Sequence, residues 1–286
     1  MTNYSSKSLE FYGAVDFSKR SVEVINLALS KCPGIISGLL VNGHYYKNIS
    51  NYRKNVLDVL RTNKFKVIID PGTYAVWRKN QQLPFANFLQ QLIQNITWTY
   101  EDLMNRNLAS RIFGIFLPDH HMNPDDTIKL ASDSFGILTK KYHIPCDKLI
   151  GVCHGILPEI PTNRFTREHV EKHIQGIKKC CHFFLMDLNL TKIGLGACSA
   201  FKIKANPLNL FEERAKELHT YAKNLKSDVH IHALGVGDRN LLDKIRNFIN
   251  SFDTQRYLTC TRVRRLFGEK RTNAAVDYLI SLIRIN

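Results

Sequence analysis

Three aspartates in this chain each sit at the end of a strand-length run: Asp70 closes FKVIID, Asp119 closes IFGIFLPD, and Asp253 follows Ser251-Phe252. A carboxylate can serve as nucleophile, general acid or base, or as the cap of a following helix. For Asp70 taken alone, capping comes slightly first. Three carboxylates brought to one mouth repel each other, an arrangement kept where a ligand or a reaction uses the charge. His230 and His232 stand two apart on a strand and share a face, which is the geometry of a metal pair. A packed, hydrogen-bonded pair of core histidines is the commoner use of such spacing. His120-His121 cannot point the same way on a strand and read as loop residues. The remaining segments end in His154-Gly155, in Gly196-Ala197-Cys198-Ser199 and in Gly235 to Asp238.

The elements that must carry these residues alternate along the whole chain. Strands are expected at residues 9–15, 34–41, 65–70, 112–117, 148–153, 183–186, 192–195 and 229–234, with a last extended segment around 251–253. Helical periodicity covers 22–29, 52–62, 85–103, 127–141, 169–180, 210–225 and 241–249. Short buried runs followed by helices of ten or more residues imply a parallel sheet with helices outside it. About eight such units without a Ser/Pro-rich linker favour an α/β fold of the (β/α)8 TIM-barrel type, a single domain over 1–286, with reactive groups at the C-terminal strand ends. No Gly-x-Gly-x-x-Gly follows the first strand, which weakens a dinucleotide-binding alternative.

Lys and Arg number 40 against 25 Asp and Glu, a formal charge of +15 that suggests a polyanionic partner. The longest nearly apolar run, Gly34 to Val41, is far short of the ~18–20 residues of a spanning helix. No secretory signal is expected, and the seven scattered cysteines read as reduced thiols, so a cytoplasmic location is expected (host cytoplasm for a viral chain) with no membrane partner. No Cys-x-x-Cys pair exists, so no thiolate zinc site is expected.

The stretch HIHALGVGDRNLLDKIRNFINSFDTQRYLTCTRVRR resembles the signature of the tRNA-guanine transglycosylases, a His-x-x-Gly-x-Gly strand followed by Phe-Asp and then Pro-Thr-Arg-x-x-Arg. The matching positions are His232, Gly235, Gly237, Phe252-Asp253, Thr261-Arg262 and Arg265. Upstream, IIDPGTYAVW resembles the family's Asp-Ser-Gly-Gly-Phe-Gln loop at Asp70 and Gly72, departing at Pro71, Thr73 and Tyr74. FLPDHH supplies an Asp where the family recognises the base. LIGVCHGILPE resembles Gly-Ile-Val-Gln-Gly-Gly with His154 in place of Gln, and IGLGACS resembles the Gly-Gly-Leu-x-x-Gly stretch of the base pocket. These segments recur in the family's order across roughly residues 65–265. No counterpart of the familiar enzymes' C-terminal zinc module is expected, with Cys260 the last cysteine of the sequence. The likeness is therefore to a short, zinc-free relative that exchanges guanine for a 7-deazaguanine in DNA, as in bacterial and phage DNA modification.

The resemblance implies double displacement at C1′ of the sugar, with Asp253 as nucleophile and Asp70 as the acid/base that protonates departing guanine and deprotonates the incoming base. It implies Asp119 as bidentate acceptor for the N1–H and 2-amino group of a guanine-like base. Gly196 and Ala197 would contact the base edge through their backbone. His154 either donates in place of the family's Gln or signals an altered base choice, and Tyr74 either stacks on the base or packs at the rim. No cofactor and no metal are implied. The implied partners are a nucleic acid, DNA ahead of tRNA, a base such as 7-cyano-7-deazaguanine, and a protein that opens or selects the DNA, since chemistry on a paired base requires extrusion.

A basic segment over about 256–286 carries Arg256, Arg262, Arg264 and Arg265 as candidate phosphate contacts, with Val263, Leu266 and Phe267 expected to alternate inward; a solvated basic face explains any single Arg as well. Three other readings stay open at this level. They are a tRNA-guanine transglycosylase, a catalytically silent nucleic-acid-binding subunit, and a metal-dependent hydrolase using His230, His232 and the aspartates.

Overall fold

A computed structural model of the chain describes residues 9–16, 18–79, 83–120, 123–156, 166–196 and 210–283. The eight strands are β1 (Glu10–Ala14), β2 (Gly38–Asn42), β3 (Lys66–Asp70), β4 (Ile112–Phe116), β5 (Leu149–Cys153), β6 (Lys192–Leu195), β7 (His230–Ala233) and β8 (Ser251–Thr254). They pair in sequence order, all parallel, and β8 closes on β1, so the fold is a TIM barrel. The helices are α1 (Lys19–Lys31), α2 (Gly43–Asn48), α3 (Ser50–Thr62), α4 (Thr73–Lys79), α5 (Phe85–Asn105), α6 (Pro124–Gly136), α7 (Arg167–His182), α8 (Leu210–Leu225), α9 (Arg239–Ile245), α10 (Arg256–Thr259), α11 (Thr261–Arg264) and α12 (Gly268–Ile283).

Two apolar layers hold this arrangement, because each strand buries both faces. Inside the barrel, Tyr12, Ile68, Phe116, Ile150 and Val152 pack with Leu40, Phe113 and Leu234. Outside it, Val41, Val67, Ile69, Ile115, Leu149, Ile193 and Ile231 alternate with them and meet the helices. Side chains two apart on a strand therefore share a face, and Ile68 and Asp70, or Ser251 and Asp253, rise in step toward the C-terminal mouth. Helix starts are written locally. Asn123 caps α6 by accepting from the N–H groups of Asp125 and Asp126 behind Pro124, and Asp238 caps α9 by accepting from Asn240 N–H.

Two expectations are corrected. The run at 183–186 is not extended: Phe183–Asp187 forms a π-helical turn that prolongs α7 and buries Phe184 and Leu185. A short apolar run looks the same in a strand and in a buried helix. Nothing breaks the helix until Asn189, whose φ of 53° is left-handed. The basic segment does not alternate either, because it is helical. Val263 is buried, Leu266 is half-buried, and Phe267, in the turn before α12, is 83% exposed. Among the described residues no helix is long and apolar enough to cross a membrane. The six described cysteines are free thiols.

Candidate active site at the barrel mouth

Asp70 ends β3 in register with Asn42, the last residue of β2. Asn42 works in two directions: its Oδ1 caps α2 by accepting from Tyr45 N–H, and its Nδ2 donates to Asp70 Oδ2 at 3.1 Å. The other Asp70 oxygen accepts from Gly72 N–H at 2.9 Å, a turn that Gly72 permits with a φ of +78°. Removal from water, aided by the negative charges of Asp119 and Asp253, raises the Asp70 pKa from 3.8 to about 7, against the two hydrogen bonds that oppose it. Thr73, three residues after Asp70, bonds Asp119 directly and ties the ends of β3 and β4 together.

Asp119 is held through both oxygens. Thr73 Oγ1, at the first residue of α4, donates to Oδ1 at 2.5 Å, and His154 Nε2 lies 2.7 Å from Oδ2. His154 is thus turned toward Asp119. Gly196 leaves room for this pair, since a Cβ there would stand 2.4 Å from the His154 ring. The Gly196 carbonyl accepts from Arg214, a fully buried arginine on α8.

Asp253 on β8 is 5% exposed. Its Oδ1 accepts from Gly235 N–H at 3.1 Å and faces His232 Nε2, also at 3.1 Å. Gly235 has a φ of +73°, the left-handed turn that aims its N–H back into the barrel. Oδ2 has no hydrogen-bond partner among the described residues. His230 and His232 share a face as expected, and both meet Ser251 Oγ, at 2.7 and 2.8 Å. Among the described residues no group of three or more His, Cys, Asp and Glu side chains is placed to hold a metal ion.

At the rim, Tyr74 is 56% exposed and its ring lies 6.1 Å from that of the exposed Trp77. Arg256 lies across Gly237, where a Cβ would meet its side chain at 2.5 Å, and Arg264 and Arg265 are exposed on the same segment after β8. None of these three arginines forms an ion pair with a described carboxylate. Ala197, His121, Cys198 and Ser199 lie outside the described residues, as does the Arg262 side chain.

No protein-family model matches this chain, and no curated protein matches its sequence. The site therefore has to be read from its own geometry. Asn42, Thr73 and Arg214 went unremarked in the sequence. Asn42 was findable as a polar residue ending a strand at the level of Asp70. Arg214 was findable by its spacing of four from Leu210 and Leu218, which puts it on the buried face of α8. Thr73 carries no signal beyond following Asp70-Pro71-Gly72.

Proposed function

We propose that this protein is a nucleic-acid guanine transglycosylase that exchanges guanine for a 7-deazaguanine base by double displacement through Asp253. The observation that carries the reading is the contrast between two carboxylates at one mouth. Asp70 has a pKa raised to about 7 and can hold or release a proton near neutrality. Asp253 presents one oxygen to Gly235 N–H and His232 Nε2, and its other oxygen has no hydrogen-bond partner among the described residues. Such a division suits a proton carrier beside a nucleophile.

In the first half-reaction an Asp253 oxygen bonds to C1′ while the bond from C1′ to guanine breaks. The electron pair leaves with the base, which takes the Asp70 proton. In the second half, the incoming base gives its ring N–H proton to Asp70 and attacks C1′, and Asp253 departs as carboxylate. Positive charge that builds on the sugar lies between carboxylates, which stabilise it. Asp119, steadied by Thr73 and His154, offers acceptor oxygens for the N1–H and amino donors of a guanine-like base. The exposed Tyr74 and Trp77 provide a stacking surface, and Arg256, Arg264 and Arg265 provide cations for phosphates.

The test is incorporation of radiolabelled guanine or 7-cyano-7-deazaguanine into duplex DNA, single-stranded DNA and tRNA, with Asp253→Ala as control. Label should enter one polymer and only with Asp253 intact. No incorporation into any polymer, with tight nucleic-acid binding retained, would turn the assignment to a silent binding subunit.

A further inference from the structure

We propose that His230, Ser251 and His232 form a one-directional hydrogen-bonded chain inside the barrel that positions Asp253, fixing Oδ1 as an acceptor and presenting Oδ2 for attack. Its catalytic meaning rests on the base-exchange reading above. His232 stands opposite Ser251 in the register of β7 and β8, with His230 two residues below and Asp253 two above. Ser251 Oγ is 2.7 Å from His230 Nε2 and 2.8 Å from His232 Nδ1, and His232 Nε2 is 3.1 Å from Asp253 Oδ1.

The direction follows from which atoms can donate. A carboxylate oxygen only accepts, so His232 Nε2 carries hydrogen. In the tautomer with a single ring hydrogen, Nδ1 is then bare and accepts from the Ser251 hydroxyl. The serine oxygen in turn accepts from His230 Nε2–H. Every donor points toward Asp253, and bonds aligned this way polarise one another.

The surroundings hold both rings. Tyr12 and Phe116 lie against His232 with ring centroids at 5.7 and 5.6 Å. Phe113 meets His230 edge-on at 5.1 Å. The charged groups facing His230 are Lys192, Lys66 and Glu10. Desolvation, with His232 and the two lysines outweighing Glu10, lowers its pKa to about 4, so it is neutral at pH 7. At the level of His230 and Ser251 the inward positions on neighbouring strands are charged, Lys192 and Glu10, whereas Leu40, Ile68, Ile150 and Val152 fill the rest of the barrel without a polar atom.

Two measurements test the chain. Nitrogen-15 NMR of the histidine side chains should report the Nε2–H tautomer for His232 in the wild type, with its Nδ1 signal moving on Ser251→Ala and its Nε2 signal moving on Asp253→Asn. In the base-exchange assay, His232→Asn keeps an amide near Ser251 but stops short of Asp253, whereas the longer His232→Gln restores a donor there. The Asn variant should lose roughly ten- to a hundredfold in kcat with KM for the nucleic acid unchanged. The Gln variant should recover most of that loss, with melting temperatures matched between the two. An Nδ1–H tautomer in the wild type, or equal kcat for both variants, overturns the proposal. If the wild type exchanges no base at all, the base-exchange reading fails by itself, and the tautomer with its response to Asp253→Asn still decides the chain.

Discussion

Replacing Asp70 with asparagine should raise the stability of the protein above neutrality and lower it slightly in acid. The Asp70 pKa rises from 3.8 to about 7 on folding, so between those values the folded chain keeps a proton that the unfolded chain has released. Folding stability then falls as pH climbs through this window, and the full cost is present above about pH 7. A gap of about 3 pH units corresponds to about 4 kcal/mol, an upper bound because Asp70 is partly open to solvent. The asparagine escapes that cost but creates a smaller one. Gly72 N–H can still donate to its amide oxygen, whereas its amide nitrogen faces Asn42 Nδ2, a donor against a donor. Asn42 cannot turn over without losing its cap on Tyr45 N–H, so about 1 kcal/mol is lost. The net expectation is a variant about 1–3 kcal/mol more stable at pH 8 and about 1 kcal/mol less stable near pH 3.5. Urea unfolding of both proteins at intervals between those pH values reads the difference directly. Carboxylates that both chains share, such as Asp102, whose pKa Arg106 and Tyr46 lower against its burial, cancel in the comparison. Two stability curves that stay parallel across the whole range would refute the electrostatic account of Asp70.

Gly196→Ala brings a methyl group to 2.4 Å from the His154 ring and must turn that ring away from Asp119. It should cost about 1–3 kcal/mol of stability and weaken base exchange through a higher KM for the free base, measured by calorimetry and steady-state kinetics; unaltered values for both would remove His154 from the support of Asp119. Arg264→Ala with Arg265→Ala should leave the melting temperature within a degree or so and lower the slope of log binding constant against log salt by about 1 for each phosphate that the variant no longer neutralises. An unchanged slope would make these arginines part of a solvated face.

Much of this protein was legible in the order of its residues. Strand-length apolar runs alternating with amphipathic helices specify a parallel sheet covered by helices, and about eight such units favour the closed barrel that is found. The two-residue period of a strand also fixed that Ser251 and Asp253, or His230 and His232, share a face. Once the barrel exists, Asp70, Asp119 and Asp253 fall at one end of it. What the sequence left open is what each side chain meets across the barrel. Asn42 and Gly72 border Asp70, while His232 and Gly235 border Asp253, and those partners are brought in from separate strands and turns. In the sequence His154 reads as a donor in place of Gln or as a sign of altered base choice, and its bond to Asp119, with Gly196 more than forty positions away making room for its ring, comes only from the fold. The helical Phe183–Asp187 turn escaped for the same reason: burial against distant residues, with no breaker before Asn189, chose between two conformations that the local pattern allowed equally. Local periodicity selects elements and the face each residue occupies, while protonation, tautomer and hydrogen-bond direction depend on neighbours that only chain closure supplies.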